Sequence, residues 1–261
     1  MKPLHNHNDA SVLKDMDMTN GPLLKKLIAV ALPLALSGIL QLLFNAADLI
    51  VIGQFSETST QSLAAVSSNV ALINLIINVV IGLSIGTNVV MSQAIGAKDE
   101  NKAQNTVHTS VLLSLISGTV VGLIGVFCAK YFLVWMKTDP AILDKATDYL
   151  FIYFIGTPAN VLYNFGASIL RAKGDTKRPL IYLTIAGVIN VALNLIFVIV
   201  AKLDVKGVAI ATIVSQYISC ILLVITLMRE QGYCRLVLKK LRFHKREFTD
   251  IIKVGLPSGI L

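Results

Sequence analysis

Long apolar segments separated by short polar or basic stretches make up most of the chain. A helix needs roughly 20 apolar residues to cross a hydrocarbon core about 30 Å thick, and each segment is at least that long. The pattern predicts transmembrane helices at about residues 24–52, 62–92, 105–132, 147–170, 180–201 and 207–228. The predicted fold class is an all-α integral membrane protein, a six-transmembrane-helix bundle followed by the start of a seventh helix.

Polar side chains interrupt the first apolar segment at regular intervals. Gln41, Asn45 and Asp48 are spaced so that a helix places them on one face, with Phe44 beside them. A carboxylate in hydrocarbon costs a few kcal/mol or more, so such a face normally lines a bundle interior or a watery cavity. Asp48 is therefore the first functional candidate. The alternative is that Asp48 lies near the end of its helix and only reaches headgroup water.

The fifth and sixth segments carry polar positions that suit Asp48 as a partner. Asn190 and Asn194 lie one helical turn apart, and Thr212 follows in the next segment. Amides in hydrocarbon need hydrogen-bond partners, and Asp48 is the partner we predict. One negative charge with several neutral oxygens suits a proton or a hard monovalent cation such as Na⁺, held at Asp48, Asn190 and Thr212. The alternative is a purely structural polar cluster.

Small residues at helical spacing occur in the second and third segments. Gly82 and Gly86 lie four residues apart, as do Gly118 and Gly122. Such pairs let two helix backbones approach closely, so we predict helix packing at both places.

The fourth segment contains aromatic and polar residues at two depths. Tyr149 lies near its start, where tyrosines usually form an interfacial belt, and we predict that role for it. Tyr153 and Asn164 lie deeper, so we predict that they face the cavity.

Composition agrees with a membrane protein, since 55% of the residues are hydrophobic, 15% are charged and the mean hydropathy is +0.72. The net charge of +8 reflects topology. The N-terminal tail and the connections that follow the second, fourth and sixth segments, including the 171–178 loop, lie on one side of the membrane in this topology. That side then holds 18 of the 23 basic residues. The positive-inside rule makes that side cytoplasmic and predicts a multi-pass protein of the plasma or inner membrane, in contact with lipids and not with nucleic acid.

The last residues repeat the beginning of the first helix. The stretch FTDIIKVGLPSGIL resembles KKLIAVALPLALSGIL, and Pro257 matches Pro33 at an offset of 224 residues. We therefore predict a polar cytoplasmic tail, a six-helix N-terminal lobe, a basic cytoplasmic linker between lobes and the truncated start of a second lobe, at residues 1–20, 21–230, 231–247 and 248–261. The partner that we expect is a C-terminal six-helix lobe.

Several motifs together resemble the bacterial MATE (multidrug and toxic compound extrusion) family. They are PLLKKLIAVALPLALSGILQLLFNAADLIVIGQF, AIGAKDENKAQNTVHTSVLLSL, YFIGTPANVLYNFGASILRAKGDTKRPL and GVAIATIVSQ. The resemblance implies antiport of amphipathic cationic compounds against H⁺ or Na⁺ through two six-helix lobes. It also implies that Asp48 is the coupling carboxylate, with Gln41, Asn190 and Thr212 at matching positions. Some members have an aspartate where this chain has Asn194.

The resemblance favours a multidrug efflux antiporter lobe with its coupling site at Asp48. A lipid or lipid-linked oligosaccharide flippase of similar architecture is the alternative, but it would favour basic side chains in the cavity, and the spans hold none near mid-depth. A non-transporting truncated fragment is the third hypothesis. An enzyme is not expected, because the sequence shows no nucleophile and base pattern, phosphate loop or metal motif, and no cofactor is expected beyond the coupling ion.

Overall fold

Helices make up nearly all of the computed structural model, which describes residues 23–56 and 58–260. They are α1 (Leu23–Phe55), α2 (Ser59–Gly96), α3 (Glu100–Trp135), α4 (Pro140–Ala172), α5 (Lys177–Leu195), α6 (Asp204–Arg229) and α7 (Lys245–Ile260). A π-helical turn, Ile196–Val200, extends α5, and two 3₁₀ turns, Gly232–Cys234 and Leu238–Lys240, lie between α6 and α7. No strand occurs in the described ranges. The predicted tail, residues 1–20, lies outside them.

The six predicted spans correspond in order to α1–α6, and the predicted seventh helix is α7. Five of the described helices are long and apolar enough to cross a membrane. The remaining one of the six, α4, has 33 residues and thus sufficient length. Its apolar character is lower because Pro158, Asn160 and Asn164 interrupt it. This helix is also the central one, since it packs against α2, α3 and α6.

Short turns connect neighbouring helices and alternate between the two ends of the bundle. Asp99 begins α3 by accepting a hydrogen bond from the Lys102 amide at 2.9 Å. Asp139 does the same for α4 through the Ala141 amide, also at 2.9 Å, and Pro140 occupies the first helical turn. We call the end with the α2–α3 and α4–α5 turns the linker end, because the segment between α6 and α7 lies there.

Glycines allow α3 and α4 to pack closely, as their spacing predicts. A Cβ at Gly118 would lie 2.9 Å from the Cα of Pro158, and one at Gly122 would lie 3.0 Å from the carbonyl oxygen of Phe154. Both distances are shorter than an ordinary Cβ contact, so the predicted pair brings the two helix backbones close together. The contact fixes α4 in the centre, where it contributes one wall of the cavity described below.

The other predicted glycine pair packs against α7. A Cβ at Gly82 would lie 2.2 Å from the Cα of Gly259, and one at Gly86 would lie 2.3 Å from the carbonyl oxygen of Ile251. Gly255 in turn lies against the backbone of Leu83. The predicted close helix packing is thus observed, with the helix that resembles α1 as the partner.

A polar cluster joins three helices at the end opposite the linker end. The Asp204 carboxylate accepts hydrogen bonds from Ser56 at 2.7 Å and from Ser62 at 2.8 Å, and it pairs with Lys145 at 2.8 Å. Asp204 has a left-handed backbone conformation with φ of 51°, which is unusual for a residue other than glycine. The cluster ties the α1–α2 turn and the starts of α4 and α6 together.

An ion-pair cluster joins three helices at the linker end. Glu230 accepts hydrogen bonds from Lys173 at 2.8 Å and from Arg178 at 2.9 Å. Burial raises the pKa of Glu230, but the hydrogen bonds and positive charges of Arg178 and Lys173 outweigh that effect, so the pKa lies below its ordinary value. The cluster connects the end of α4, the start of α5 and the end of α6.

Candidate functional site

A cavity of about 520 Å³ opens between α1, α2, α4, α5 and α6. Eight of the nine sequence-predicted site residues line it, namely Gln41, Phe44, Asn45, Asp48, Tyr153, Asn164, Asn190 and Thr212. The ninth, Asn194, is fully buried directly behind this wall. The predicted polar faces of α1, α4, α5 and α6 therefore meet around one cavity.

Asp48 is held by a chain of hydrogen bonds that begins on α5. The Asn194 Nδ2 donates to the Asp48 Oδ1 at 2.5 Å and lies 3.3 Å from the Asn190 Oδ1. The Asn190 Nδ2 donates to the Thr212 hydroxyl at 3.4 Å, and that hydroxyl donates to the Val208 carbonyl oxygen at 2.9 Å. The amide partner predicted for Asp48 is therefore present in the structure.

The Asp48 carboxylate lies inside the bundle and not at an exposed helix end. Its residue is 7% exposed, and the next turn of α1 places Val51 and Ile52 in a buried apolar cluster. Val205 and Val208 of α6 belong to the same cluster. An apolar layer thus separates Asp48 from the polar cluster around Asp204, whereas the cavity approaches the carboxylate from the other side.

Local sequence explains how α1 and α5 come together at this point. Gly187 precedes Asn190 by about one turn, and a Cβ at Gly187 would lie 1.9 Å from the Phe44 ring. The Phe44 ring therefore packs directly on the α5 backbone. Because Phe44 and Asp48 lie one turn apart on α1, this contact sets the depth at which Asp48 meets Asn194.

Asn194 has an unused acceptor next to Asp48. Its Oδ1 is buried and has no hydrogen-bond partner within the described part of the chain. A buried acceptor without a partner is costly, and one beside a carboxylate is positioned to accept a proton-bearing group or to coordinate a cation. The site thus combines one ionisable carboxylate with a free neutral oxygen.

The rest of the cavity wall is apolar, aromatic or neutral. Asp48 is the only acidic residue among the described residues that line it, and none of them is lysine or arginine. Its charge is therefore not balanced by a basic group at the wall. Such a cavity attracts cations and does not attract anions.

Tyr149 is the clearest difference from the sequence prediction. It does not lie in an interfacial belt; it is 6% exposed, lines the cavity and stacks on Tyr153 with ring centroids 6.3 Å apart. The prediction was wrong because depth along the helix does not reveal which side faces the interior. Tyr149 precedes Tyr153 by one turn, and that spacing is the signal that places both on one face.

Other wall residues were not predicted, although their spacing contains a signal. Asn160 precedes Asn164 by one turn, and the Asn164 Nδ2 donates to the Asn160 Oδ1 at 3.0 Å. Tyr163 lines the cavity and donates to the Pro179 carbonyl oxygen at 2.8 Å. Asn74 of α2 and Gln216 of α6 complete the neutral polar positions.

Comparison with known proteins identifies the family to which this architecture belongs. The sequence model of the MatE family matches residues 33–196, a range that includes Asp48, Asn190 and Asn194. The chain belongs to the MatE family. The family predicted from sequence motifs is thereby confirmed.

Relatives and solved structures agree with this MatE assignment. The probable multidrug resistance protein YpnP of Bacillus subtilis is 29% identical over 95% of this chain and 55% of its own length. A FAD transporter of Shewanella oneidensis is 29% identical over 77% of this chain and 45% of its own length. A crystal structure of MATE in the bent conformation matches 92% of this chain and 53% of its own, with a TM-score of 0.85 and 27% identity.

This MatE chain therefore spans about half the length of the relatives it matches. The predicted fold, one lobe of a larger transporter architecture, is confirmed by the match to one half of the MATE structure.

Proposed function

We propose that this chain is the ion-coupling lobe of a multidrug efflux antiporter that exports amphipathic cationic compounds. The observation that carries the proposal is Asp48, a buried carboxylate and the one acidic side chain among the described residues in the wall of a drug-sized cavity. Phe44, Tyr149 and Tyr153 supply aromatic surface near it, which suits the apolar body and the positive charge of such compounds.

Exchange at Asp48 explains how coupling works. An ionised Asp48 attracts a cationic substrate, and a proton or Na⁺ bound there removes that attraction. A ligand shifts a conformational equilibrium only through its different affinities for the two states, so the coupling ion and the substrate must compete for the same charge. A single carboxylate with uncharged neighbours provides that competition.

The arrangement around Asp48 favours a proton as the coupling ion. The Asn194 amide points its N–H group at the carboxylate, as suits an ionised acid, while its own Oδ1 stays free to accept from a protonated one. Coordination of Na⁺ by Asp48, Asn190 and Thr212 requires the Asp48 Oδ1 and the Asn190 Oδ1, and the Asn194 N–H group lies against both of these oxygens. Proton and sodium coupling therefore give different responses in the experiment below.

An anionic substrate is the second candidate, because a relative is named a FAD transporter. A flippase for lipid-linked phosphates belongs to the same chemical class. The absence of lysine and arginine from the described wall of this cavity favours the cationic substrate.

The proposal includes the setting of the lobe. The lobe lies in the plasma or inner membrane, and the distribution of basic residues supports a cytoplasmic N-terminus and a cytoplasmic linker end. A second six-helix lobe completes the transport path, and the packing of α7 on α2 supports its position beside α2.

Binding of a fluorescent cation to the purified chain tests the proposal directly. Ethidium affinity is measured in lipid nanodiscs at pH 8 and pH 5.5, with and without Na⁺, for the native chain and for Asp48→Asn. Asp48→Asn should weaken binding about tenfold at pH 8, since one close charge is lost, and should remove the pH dependence. Weaker binding on acidification identifies the proton, and weaker binding on adding Na⁺ at pH 8 identifies sodium.

Asp148→Asn is the matched control, because Asp148 lies on α4 outside the cavity wall and pairs with Lys206 at 3.0 Å. This variant should bind as the native chain does at both pH values. Equal ethidium binding by Asp48→Asn and the native chain would show that Asp48 is not the coupling site. Tighter binding of FAD than of ethidium would establish the anionic alternative.

A further inference from the structure

Residues 231–244, between Glu230 and the start of α7, are packed against the bundle, and we call them the strap. Its Cys234 is fully buried and its Leu236 is 2% exposed, both within an apolar cluster that includes Val107 of α3. The Leu236 amide donates to the Leu227 carbonyl oxygen at 2.9 Å, which folds the strap back onto the end of α6. The predicted linker is therefore a fixed part of the lobe's surface.

His108 of α3 holds the middle of the strap. This residue is 2% exposed, its Nδ1 lies 2.8 Å from the Gln104 carbonyl oxygen, and its Nε2 lies 3.3 Å from the Val237 amide nitrogen. A carbonyl oxygen only accepts and an amide N–H only donates. The ring must therefore be neutral, with its hydrogen on Nδ1 and a free lone pair on Nε2.

The surroundings disfavour a second proton on that ring. A protonated Nε2 would direct its own N–H group against the Val237 N–H group, so the hydrogen bond is lost. The groups whose charges act on His108 are His244 and Lys240 of the strap, and both are basic. The carboxylate of Asp250 on α7 pairs with Lys102 of α3 at 3.6 Å.

His244 fastens the far end of the strap through neutral groups. Its amide donates to the Thr109 hydroxyl at 3.2 Å, and its Nδ1 lies 3.3 Å from the same oxygen. A hydroxyl both donates and accepts, so this contact survives protonation of His244. The two histidines thus differ in kind, since only the contact of His108 requires a neutral ring.

We propose that the strap is a proton-sensitive latch, in which protonation of His108 releases the Val237 amide and loosens the middle of the strap from α3. The latch joins α6 to α7 and is separate from the cavity, so it senses protons at the linker end independently of Asp48. Histidine is the side chain that ordinarily changes charge between pH 5 and pH 8, so the latch is tested by comparing a mildly acidic with a mildly basic condition.

Amide hydrogen exchange of the intact chain in nanodiscs tests the latch. Exchange of the strap peptide containing Val237 is compared between the native chain and His108→Gln at pH 8 and at pH 5.5. The glutamine carbonyl accepts from the Val237 amide but does not titrate. The ratio of the two rates at one pH cancels the intrinsic effect of pH on exchange. The exchange rate of the native chain divided by that of His108→Gln should be near one at pH 8 and about ten at pH 5.5, because only the native chain loses the hydrogen bond to Val237.

His244→Gln is the matched control and should keep the native pH response. The proposal is overturned if the ratio of the exchange rates of the native chain and His108→Gln does not change with pH. It is also overturned if the faster exchange at pH 5.5 disappears in His244→Gln. If His108→Gln does not fold, the native chain alone decides. Exchange of its strap, corrected for intrinsic rates, must accelerate on acidification more than exchange of the α3 amides between 110 and 118. Neither result depends on ethidium binding, so the latch and the proposed antiport fail separately.

Discussion

At the scale of single residues, the site is defined by one charge and its uncharged neighbours. Asp48 and Asn194 lie 146 positions apart in the sequence and meet in a hydrogen bond. Because the second position is an amide, Asp48 is the one acidic residue among the described residues of the site. A second carboxylate there would share a proton with Asp48 and bring two coupled titrations into the cavity.

Loss of the Asn194 amide leaves Asp48 buried with fewer partners. Asn194→Ala should lower the stability of the lobe by about 2 kcal/mol, since a hydrogen bond to a charged group is lost in a buried site. Thermal unfolding in detergent measures the effect. Asn74→Ala is the control, because Asn74 is an exposed cavity amide, and it should change stability little. Equal stability of Asn194→Ala and Asn74→Ala would show that the hydrogen bond from Asn194 to Asp48 does not stabilise the lobe.

At the scale of helices, glycine pairs decide which elements touch. The pair on α3 positions α4, and the pair on α2 positions α7, in each case because the facing backbone leaves no room for a Cβ. Ion-pair and polar clusters then fix the helix ends. The Asp204 cluster holds one end and the Glu230 cluster holds the other.

Adding a methyl group at Gly86 tests the contact between α2 and α7. Gly86→Ala places a Cβ 2.3 Å from a backbone oxygen that cannot rotate away, so α7 must shift. Overpacking of this kind costs about 1–3 kcal/mol, and hydrogen exchange of residues 249–259 should accelerate accordingly. Gly96→Ala is the control, since no atom lies within 4 Å of its Cβ position. Unchanged exchange in Gly86→Ala would show that α7 does not pack there.

The Glu230 cluster predicts a pH dependence of stability. The folded pKa of Glu230 lies below its ordinary value of 4.5, so its stabilisation is fully present above that value and is lost as the pH falls through the folded pKa. Glu230→Gln should lower the thermal unfolding temperature at pH 7 and abolish this part of the acid dependence. Asp144→Asn, at a side chain 93% exposed, should leave both unchanged. If Glu230→Gln still loses stability to the same extent as the pH falls, the acid dependence comes from other carboxylates.

At the scale of the whole molecule, the described helices form one bundle with a cavity between α1, α2, α4, α5 and α6 and the strap at the linker end. Its relatives are about twice as long. Alternating access requires two bodies that move against each other, and one lobe provides only one of them.

Binding and transport should therefore separate. Reconstituted alone in vesicles, the chain should bind ethidium but should not move it under an imposed proton or sodium gradient. Joined to a second six-helix lobe, it should produce flux that Asp48→Asn abolishes. Flux is followed by ethidium fluorescence inside vesicles loaded with DNA. Gradient-driven flux from the chain alone would mean that two copies assemble into a transporter.

The sequence by itself determined the helical spans and most of the site. Hydrophobic length sets a transmembrane helix, and the cost of a polar group in hydrocarbon forces Asp48, Asn190 and Asn194 toward the interior. Both are local effects, so they can be read from one segment at a time. The inward faces of α1, α5 and α6 were predicted for this reason, and the predicted residues meet at one cavity.

Only the tertiary structure decided which elements meet. The spacing of Gly82 and Gly86 predicts a close helix contact, but it does not identify α7 as the partner helix. Tyr149 faces the cavity because α4 is surrounded by other helices, and His108 binds Val237, which is 129 positions away. Helical periodicity specifies a face, whereas the neighbour of that face depends on how the helices arrange themselves laterally, which is a property of the whole packed bundle.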